Sequence, residues 1–141
     1  MVNNAGVSFE ARHPAVLHLT SEETWDTTMD INAKSVFLGC KYAITQMLKQ
    51  DLHPSGDRGW IINMSSIMGI IAGLGNRKYC ADIDSLFVDP SPASYCASKG
   101  AVSSLTRQVA LDYAEHKIHV NALCPGCKPE KCLFRLLFLP Y

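Results

Sequence analysis

The sequence has no surplus of charge: thirteen Lys and Arg offset thirteen Asp and Glu over 141 residues, for a net charge of zero. A balanced chain has no basic field to hold a phosphate backbone or an anionic lipid surface, so neither nucleic acid nor a membrane is expected as a partner. Long apolar runs are absent as well. No segment reaches the ~20 residues needed to cross a bilayer. "MVNNAGVSFEARHP" has no basic start followed by an apolar stretch, so the cytoplasm is the default compartment. Internal repeats and low-complexity tracts are also missing, and 48% hydrophobic content argues against disorder. These absences leave one globular domain over 1–141, long enough for a real core and suited to a small, modestly charged ligand.

Cysteine is not scarce, at six: Cys40, Cys80, Cys96, Cys124, Cys127 and Cys132. Without a secretory leader these are expected as free thiols, mostly small buried apolar groups. No metal site is expected. "CPGC", from Cys124 to Cys127, is nevertheless a CxxC with Cys132, His116 and His119 nearby, and a metal or redox module is kept as an alternative. Asn63 opens an Asn-Met-Ser sequon, but within an apolar run of a chain without a leader, and is discounted as a glycan acceptor.

Periodicity sets out the elements. "VNNAG" reads as the end of a strand breaking into a glycine turn. Thr20 followed by Glu23 is a helix-start signal. Trp25, Met29, Ala33, Val36, Phe37, Cys40, Ala43, Ile44, Met47 and Leu48 then recur at helical steps, predicting one helix to about Lys49. "WIINMS" suits a strand buried on both faces. A second helix is predicted from about Pro92 to His116, with Ala97, Ala101, Leu105, Val109 and Tyr113 as its apolar stripe, before a third strand, "IHVNAL". Strands alternating with helices imply parallel strands joined by right-handed crossovers, hence an α/β sheet with helices on its faces.

Within the second helix, "SYCASKGA" places Tyr95 and Lys99 four residues apart, on one helical face. Taken alone, such a pair reads as amphipathic side chains lying along a surface with their polar tips in water. Its surroundings change that reading. "NNAG" (Asn3 to Gly6), "DINAKSVF" (Asp30 to Phe37), "IINMSS" (Ile61 to Ser66), "YCASKGAV" (Tyr95 to Val102) and "VNALCPG" (Val120 to Gly126) follow one another in the chain. In this order they resemble the successive motifs of the short-chain dehydrogenase/reductase family. The resemblance implies a partial Rossmann-type doubly wound parallel sheet, three-layer α/β/α when complete. It also implies an NAD or NADP cofactor and hydride transfer between an alcohol and a carbonyl.

By the same resemblance the catalytic tetrad falls on Asn32, Ser66, Tyr95 and Lys99. Free tyrosine, with a pKa of about 10, is a poor proton donor at neutral pH, and a neighbouring ammonium that favours the phenolate lowers that value. Ser66 would hold the substrate oxygen beside Tyr95. Ser65 is sent to the opposite face by strand alternation. Asn32 puts an amide on an otherwise apolar stripe, where burial demands hydrogen-bond partners. In similar enzymes this asparagine distorts its helix and holds a water that relays protons to the lysine. Asn4, Ala5 and Gly6 would lie beside the adenosine part of the cofactor, with Tyr95, Lys99, Pro125 and Gly126 near its nicotinamide end. Many family members pair through the helices bearing Asn32 and Tyr95, so a homo-oligomer is expected.

Three departures accompany the resemblance. The family's glycine-rich phosphate turn is not in the chain, and no family pattern follows Gly126, so 127–141 reads as a non-family tail on a partial domain. Ser66 and Tyr95 stand 29 positions apart, too far for the family, which marks 76–92 as an insertion. Connections of this kind usually run about 2–6 residues. The expected activity is an NAD(P)-dependent oxidoreductase acting on a small-molecule alcohol or carbonyl, with Tyr95 as general acid/base. The alternative is a catalytically inactive family fragment that binds no dinucleotide.

Overall fold

The computed structural model describes residues 1–9, 16–71 and 92–126. The expected insertion at 76–92, apart from Pro92, lies outside the described residues, as do the tail 127–141 and with it Cys127 and Cys132.

Three runs make one parallel sheet in the order β1 (Val2–Asn3), β2 (Gly59–Met64), β3 (Ile118–Leu123). Asn3 pairs with Asn63, and Gly59 to Met64 run opposite Ile118 to Leu123. Parallel neighbours need a crossover, and each is helical. The first carries α1 (Glu22–Met29), a π-helical turn (Asp30–Lys34) and α2 (Ser35–Met47). The second carries a short 3-10 turn (Ile67–Gly69) and α3 (Ala93–Asp112). The expected partial α/β architecture is the one found.

Its details differ from the sequence reading in four places. Ser21, not Thr20, starts α1, its Oγ accepting the Thr24 N–H at 3.1 Å, while Thr20 Oγ1 donates to the Val16 carbonyl. The single helix expected to Lys49 is interrupted where the Ser35 N–H reaches back five residues to the Asp30 carbonyl. The second helix ends at Asp112, short of His116, and Lys117 turns the chain into β3 at φ 60°. Residues of β2 alternate between buried and open instead of being covered on both sides.

The alternation follows from the layers. Val36, Cys40 and Ile44 of α2 and Val102 of α3 pack with Ile61, Ile118 and Val120 of the sheet, so both helices cover one face. Among the described residues the other face carries no helix, and Val2 is 60% and Trp60 45% exposed there. Phe37, Leu48 and Trp25, placed on the apolar stripe by periodicity, are also exposed.

The buried side of α3 is polar. Its predicted stripe of Ala97, Ala101, Leu105, Val109 and Tyr113 is only half-buried, whereas Ser94, Ser98, Lys99, Ser103 and Thr106 are buried with Val102. Small side chains let the helix come close to its neighbours. A Cβ on Gly69 would stand 2.5 Å from the Lys99 carbonyl carbon and 2.8 Å from the Gly100 nitrogen. The hydroxyls of Ser98, Ser103 and Thr106 are bonded to backbone carbonyls. Ser65 Oγ donates to the Lys99 carbonyl at 2.8 Å and lies 2.7 Å from Ser103 Oγ. None of the helices among the described residues is long and apolar enough to cross a membrane.

Candidate active site

In open parallel sheets, ligands bind outside the carboxyl ends of the strands. The residues singled out from sequence gather at that edge. Asn4, Ala5 and Gly6 leave β1 and are exposed. Ser66 follows β2, and Pro125 and Gly126 follow β3, where the Pro125 carbonyl accepts the Ile67 N–H at 2.9 Å. A Cβ on Gly126 would lie 3.1 Å from Ile67 Cγ2, so the ends of β2 and β3 are packed together.

Asn32 is fully buried in the π-helical turn. Its Oδ1 accepts the Val7 N–H at 2.8 Å, and its Nδ2 donates to the Val7 carbonyl at 2.9 Å and to Ser98 Oγ at 3.0 Å. The amide thus ties the helix to the loop that leaves β1. The helix distortion implied by the family resemblance is present at this residue.

Tyr95 and Lys99 share a helical face as their spacing requires, with Lys99 Nζ 5.7 Å from the centre of the Tyr95 ring. Lys99 is 4% exposed and donates to the Met64 carbonyl at 2.6 Å. Burial disfavours its charged form and lowers its pKa, while Cys124 opposes that shift in part. Gly6 adjoins both groups: a Cβ there would stand 3.3 Å from Lys99 Nζ and 3.3 Å from Asn32 Oδ1. A Cβ at this position would crowd both groups, which would have to give by a few tenths of an ångström.

The two serines divide their work. Ser65 is spent on α3, through Lys99 and Ser103. Ser66 is buried at the end of β2, where its Oγ accepts the Met68 N–H at 3.2 Å and caps the 3-10 turn. As the acceptor in that bond, Ser66 keeps its own hydroxyl proton.

Sequence reasoning passed over a second polar group. Asn63, buried in β2, accepts from Asn3 Nδ2 at 2.8 Å and donates to Thr106 Oγ1 at 3.0 Å, with Cys40 Sγ 3.5 Å away. Burial raises the Cys40 pKa, against the bond to Asn63. The signal was available: an amide in the middle of an apolar strand must find partners. Ser98 was passed over too. Among the described residues, no group of three or more His, Cys, Asp or Glu is placed to hold a metal.

The fold agrees with comparisons to known proteins. Residues 1–129 match the family model described as Enoyl-(Acyl carrier protein) reductase. The chain is 36% identical over 126 residues to 2-(R)-hydroxypropyl-CoM dehydrogenase of Xanthobacter autotrophicus, covering 89% of this chain and 41% of that protein. It is 38% identical to a relative from the same organism named as an inactive 2-(S)-hydroxypropyl-CoM dehydrogenase, with 89% and 44% covered. Against cyclopentanol dehydrogenase of Comamonas the identity is 36%, with 89% and 40% covered. Among solved structures, ElxO with NADP bound is similar at a TM-score of 0.66 and 28% identity, over 89% of this chain and 40% of that one. The chain therefore spans less than half the length of these relatives.

Proposed function

Because this chain belongs to the short-chain dehydrogenase/reductase family, we propose that it forms the catalytic part of an NAD(P)-dependent oxidoreductase. The substrate class is a small-molecule alcohol or carbonyl. The observation that carries this reading is the buried Lys99 ammonium, held by the Met64 carbonyl, facing the Tyr95 ring and lying against Gly6.

The edge fits a dinucleotide. Backbone without a side chain at Gly6, with the exposed Asn4 and Ala5, allows the adenosine part to approach closely, and the Lys99 ammonium offers donors to the nicotinamide ribose hydroxyls. When bound, the cofactor supplies or accepts the hydride. The rest is done by this chain. Tyr95 gives a proton to the carbonyl oxygen in reduction and takes it back in oxidation. The positive charge on Lys99 favours the phenolate and makes that transfer easier at neutral pH. Ser66, whose Oγ accepts the Met68 N–H and keeps its own proton, donates to the substrate oxygen as negative charge develops there. Asn32 holds the loop at Val7, and with it Gly6, against Lys99. In solution the chain associates with further copies of itself, driven by exposed apolar side chains on the helices such as Phe37 and Tyr42.

Titrating NADH and NADPH against the purified chain, with nicotinamide fluorescence as the signal, tests the reading. Saturable binding that weakens in Gly6→Val is expected. No binding by the folded chain would overturn it in favour of an inactive family fragment.

A further inference from the structure

The amino ends of the strands, at the other end of the sheet from the candidate active site, carry a second group of polar side chains that the dehydrogenase reading does not use. The connection from α2 to β2 turns tightly there: the His53 N–H donates to the Asp57 carbonyl at 2.7 Å and the Gly56 N–H to the His53 carbonyl at 2.8 Å. Asp57 then reaches across to β3. Its Oδ1 lies 2.8 Å from His119 Nε2, and its Oδ2 accepts from Ser55 Oγ at 3.0 Å. A carboxylate can only accept, so Nε2 carries a proton and Nδ1 is left as the place for a second one. Among the described residues no hydrogen bond occupies Nδ1, and half of the His119 side chain is exposed. The imidazole is also held by Trp60, which stacks on it with ring centres 6.3 Å apart and planes 18° from parallel.

We propose that Asp57 and His119 form a pH-dependent clasp between the α2–β2 connection and β3, which tightens as His119 takes up a proton. An ordinary imidazole gains its charge between about pH 8 and pH 5, where Asp57, held below the usual carboxylate range by His119 and Ser55, stays ionised. The proton adds at Nδ1 and leaves the Nε2 bond in place, so a neutral hydrogen bond becomes a charge-assisted one without either group moving. Exposed ion pairs usually lose much of their gain in ordering two mobile side chains. That cost is reduced here, because Ser55 fixes the carboxylate and Trp60 the imidazole before the proton arrives. Among the described residues, the other charged or titratable groups facing the pair are Lys117, which acts on Asp57, and His53, which stands edge-on to Trp60 at 5.7 Å. Arg58 is committed to the Gln50 and His116 carbonyls, and His116 lies against the Tyr113 ring. His53 Nδ1 accepts the Ser55 N–H at 3.2 Å and lies 3.1 Å from Ser55 Oγ, so its own protonation would rearrange the turn. Its contribution is removed by comparing chains that all retain it.

The test follows backbone amide exchange of the full chain by NMR between about pH 8 and pH 5, each rate expressed as protection relative to an unstructured peptide at the same pH. The Arg58 N–H, bonded to the Lys117 carbonyl at 2.7 Å, and the His53 N–H report on the clasp. His119→Gln keeps an N–H donor for Asp57 but cannot become charged. The ratio of protection in the parent chain to that in His119→Gln is expected to rise as the pH falls, by up to about fivefold, the scale of an exposed ion pair. With Asp57→Asn present in both chains, the ratio should stay flat. A ratio that is flat or falls toward acid in the first comparison overturns the proposal, as does an equal rise in the Asp57→Asn background. An equal rise at the Val7 N–H, which is bonded to Asn32 at the other end of the sheet, would mark a global effect and overturn it too. The readout needs no nucleotide and stands apart from the proposed function.

Discussion

Asn32 pairs with Val7, 25 residues away in sequence, as one strand pairs with another: its side-chain amide takes both the N–H and the carbonyl of the Val7 backbone, at 2.8 and 2.9 Å. The chain leaves the sheet after Asn3, and a side chain on the helix then provides what a neighbouring strand no longer does. This fixes the loop containing Gly6 against Lys99, so fold and site meet at one amide.

Replacing Asn32 with Ala leaves the Val7 backbone groups and Ser98 without their partner. Groups left unsatisfied in this way cost about 1–3 kcal/mol. The urea midpoint is expected to fall accordingly with an unchanged slope. A loss below about 0.5 kcal/mol would mean that water replaces the amide without penalty.

Stability should rise with pH through Lys99. Its folded pKa lies below the unfolded value of about 10.4, so between the two the unfolded chain binds more protons. Burial of the ammonium therefore opposes folding at neutral pH, and this opposition disappears as pH climbs through that window. Urea unfolding between pH 7 and 10 should show the rise in the parent chain and lose it in Lys99→Met. Equal slopes in the two would contradict the assignment.

Tyr95→Phe keeps the ring beside Lys99 and removes the proton donor. Carbonyl reduction should drop by about 10²–10⁴-fold, the usual contribution of a general acid, with nicotinamide binding retained. Activity kept by the Phe variant would move proton transfer to another group.

Two facing glycines should respond with opposite signs. A Cβ on Gly69 would meet the backbone of Lys99 and Gly100, which cannot move aside cheaply, so Gly69→Ala is expected to destabilise by about 1–3 kcal/mol. Among the described residues, a Cβ on Gly100 meets only the Gly69 carbonyl oxygen, at an ordinary 3.5 Å. Inside α3 that change should stabilise by about 0.5–1 kcal/mol through helix propensity. Thermal unfolding of the two variants decides it, and a shared sign would refute the close packing.

His119, bonded to Asp57 at 2.8 Å, is the main reason the Asp57 carboxyl titrates below its usual range, with Ser55 second. His119→Ala should raise the Asp57 midpoint toward the ordinary carboxylate value, followed by carboxyl carbon NMR. No movement would leave Ser55 as the controlling partner.

The sequence was a good guide wherever one residue type or one period carries the physics. Apolar residues at helical steps and short β-leaning runs located the strands and helices, because burial of a periodic face depends on neighbours along the same segment. Tyr95 and Lys99 were legible together for the same reason, since helical spacing alone brings them to one face. The π-helical turn at Asn32, the polar buried side of α3 and the open face of the sheet were not legible from periodicity. Each depends on a partner distant in the chain: Val7 for Asn32, Ser65 and Gly69 for α3, and a covering layer that the described residues do not supply for Trp60. Sequence by itself thus determined which segments are helical or extended and which residue types the chemistry has to work with. The tertiary structure alone decided which polar groups are buried, which way the Asn32 amide points and how strongly Lys99 is desolvated, because hydrogen-bond satisfaction and burial are set by groups that meet only once the chain has folded.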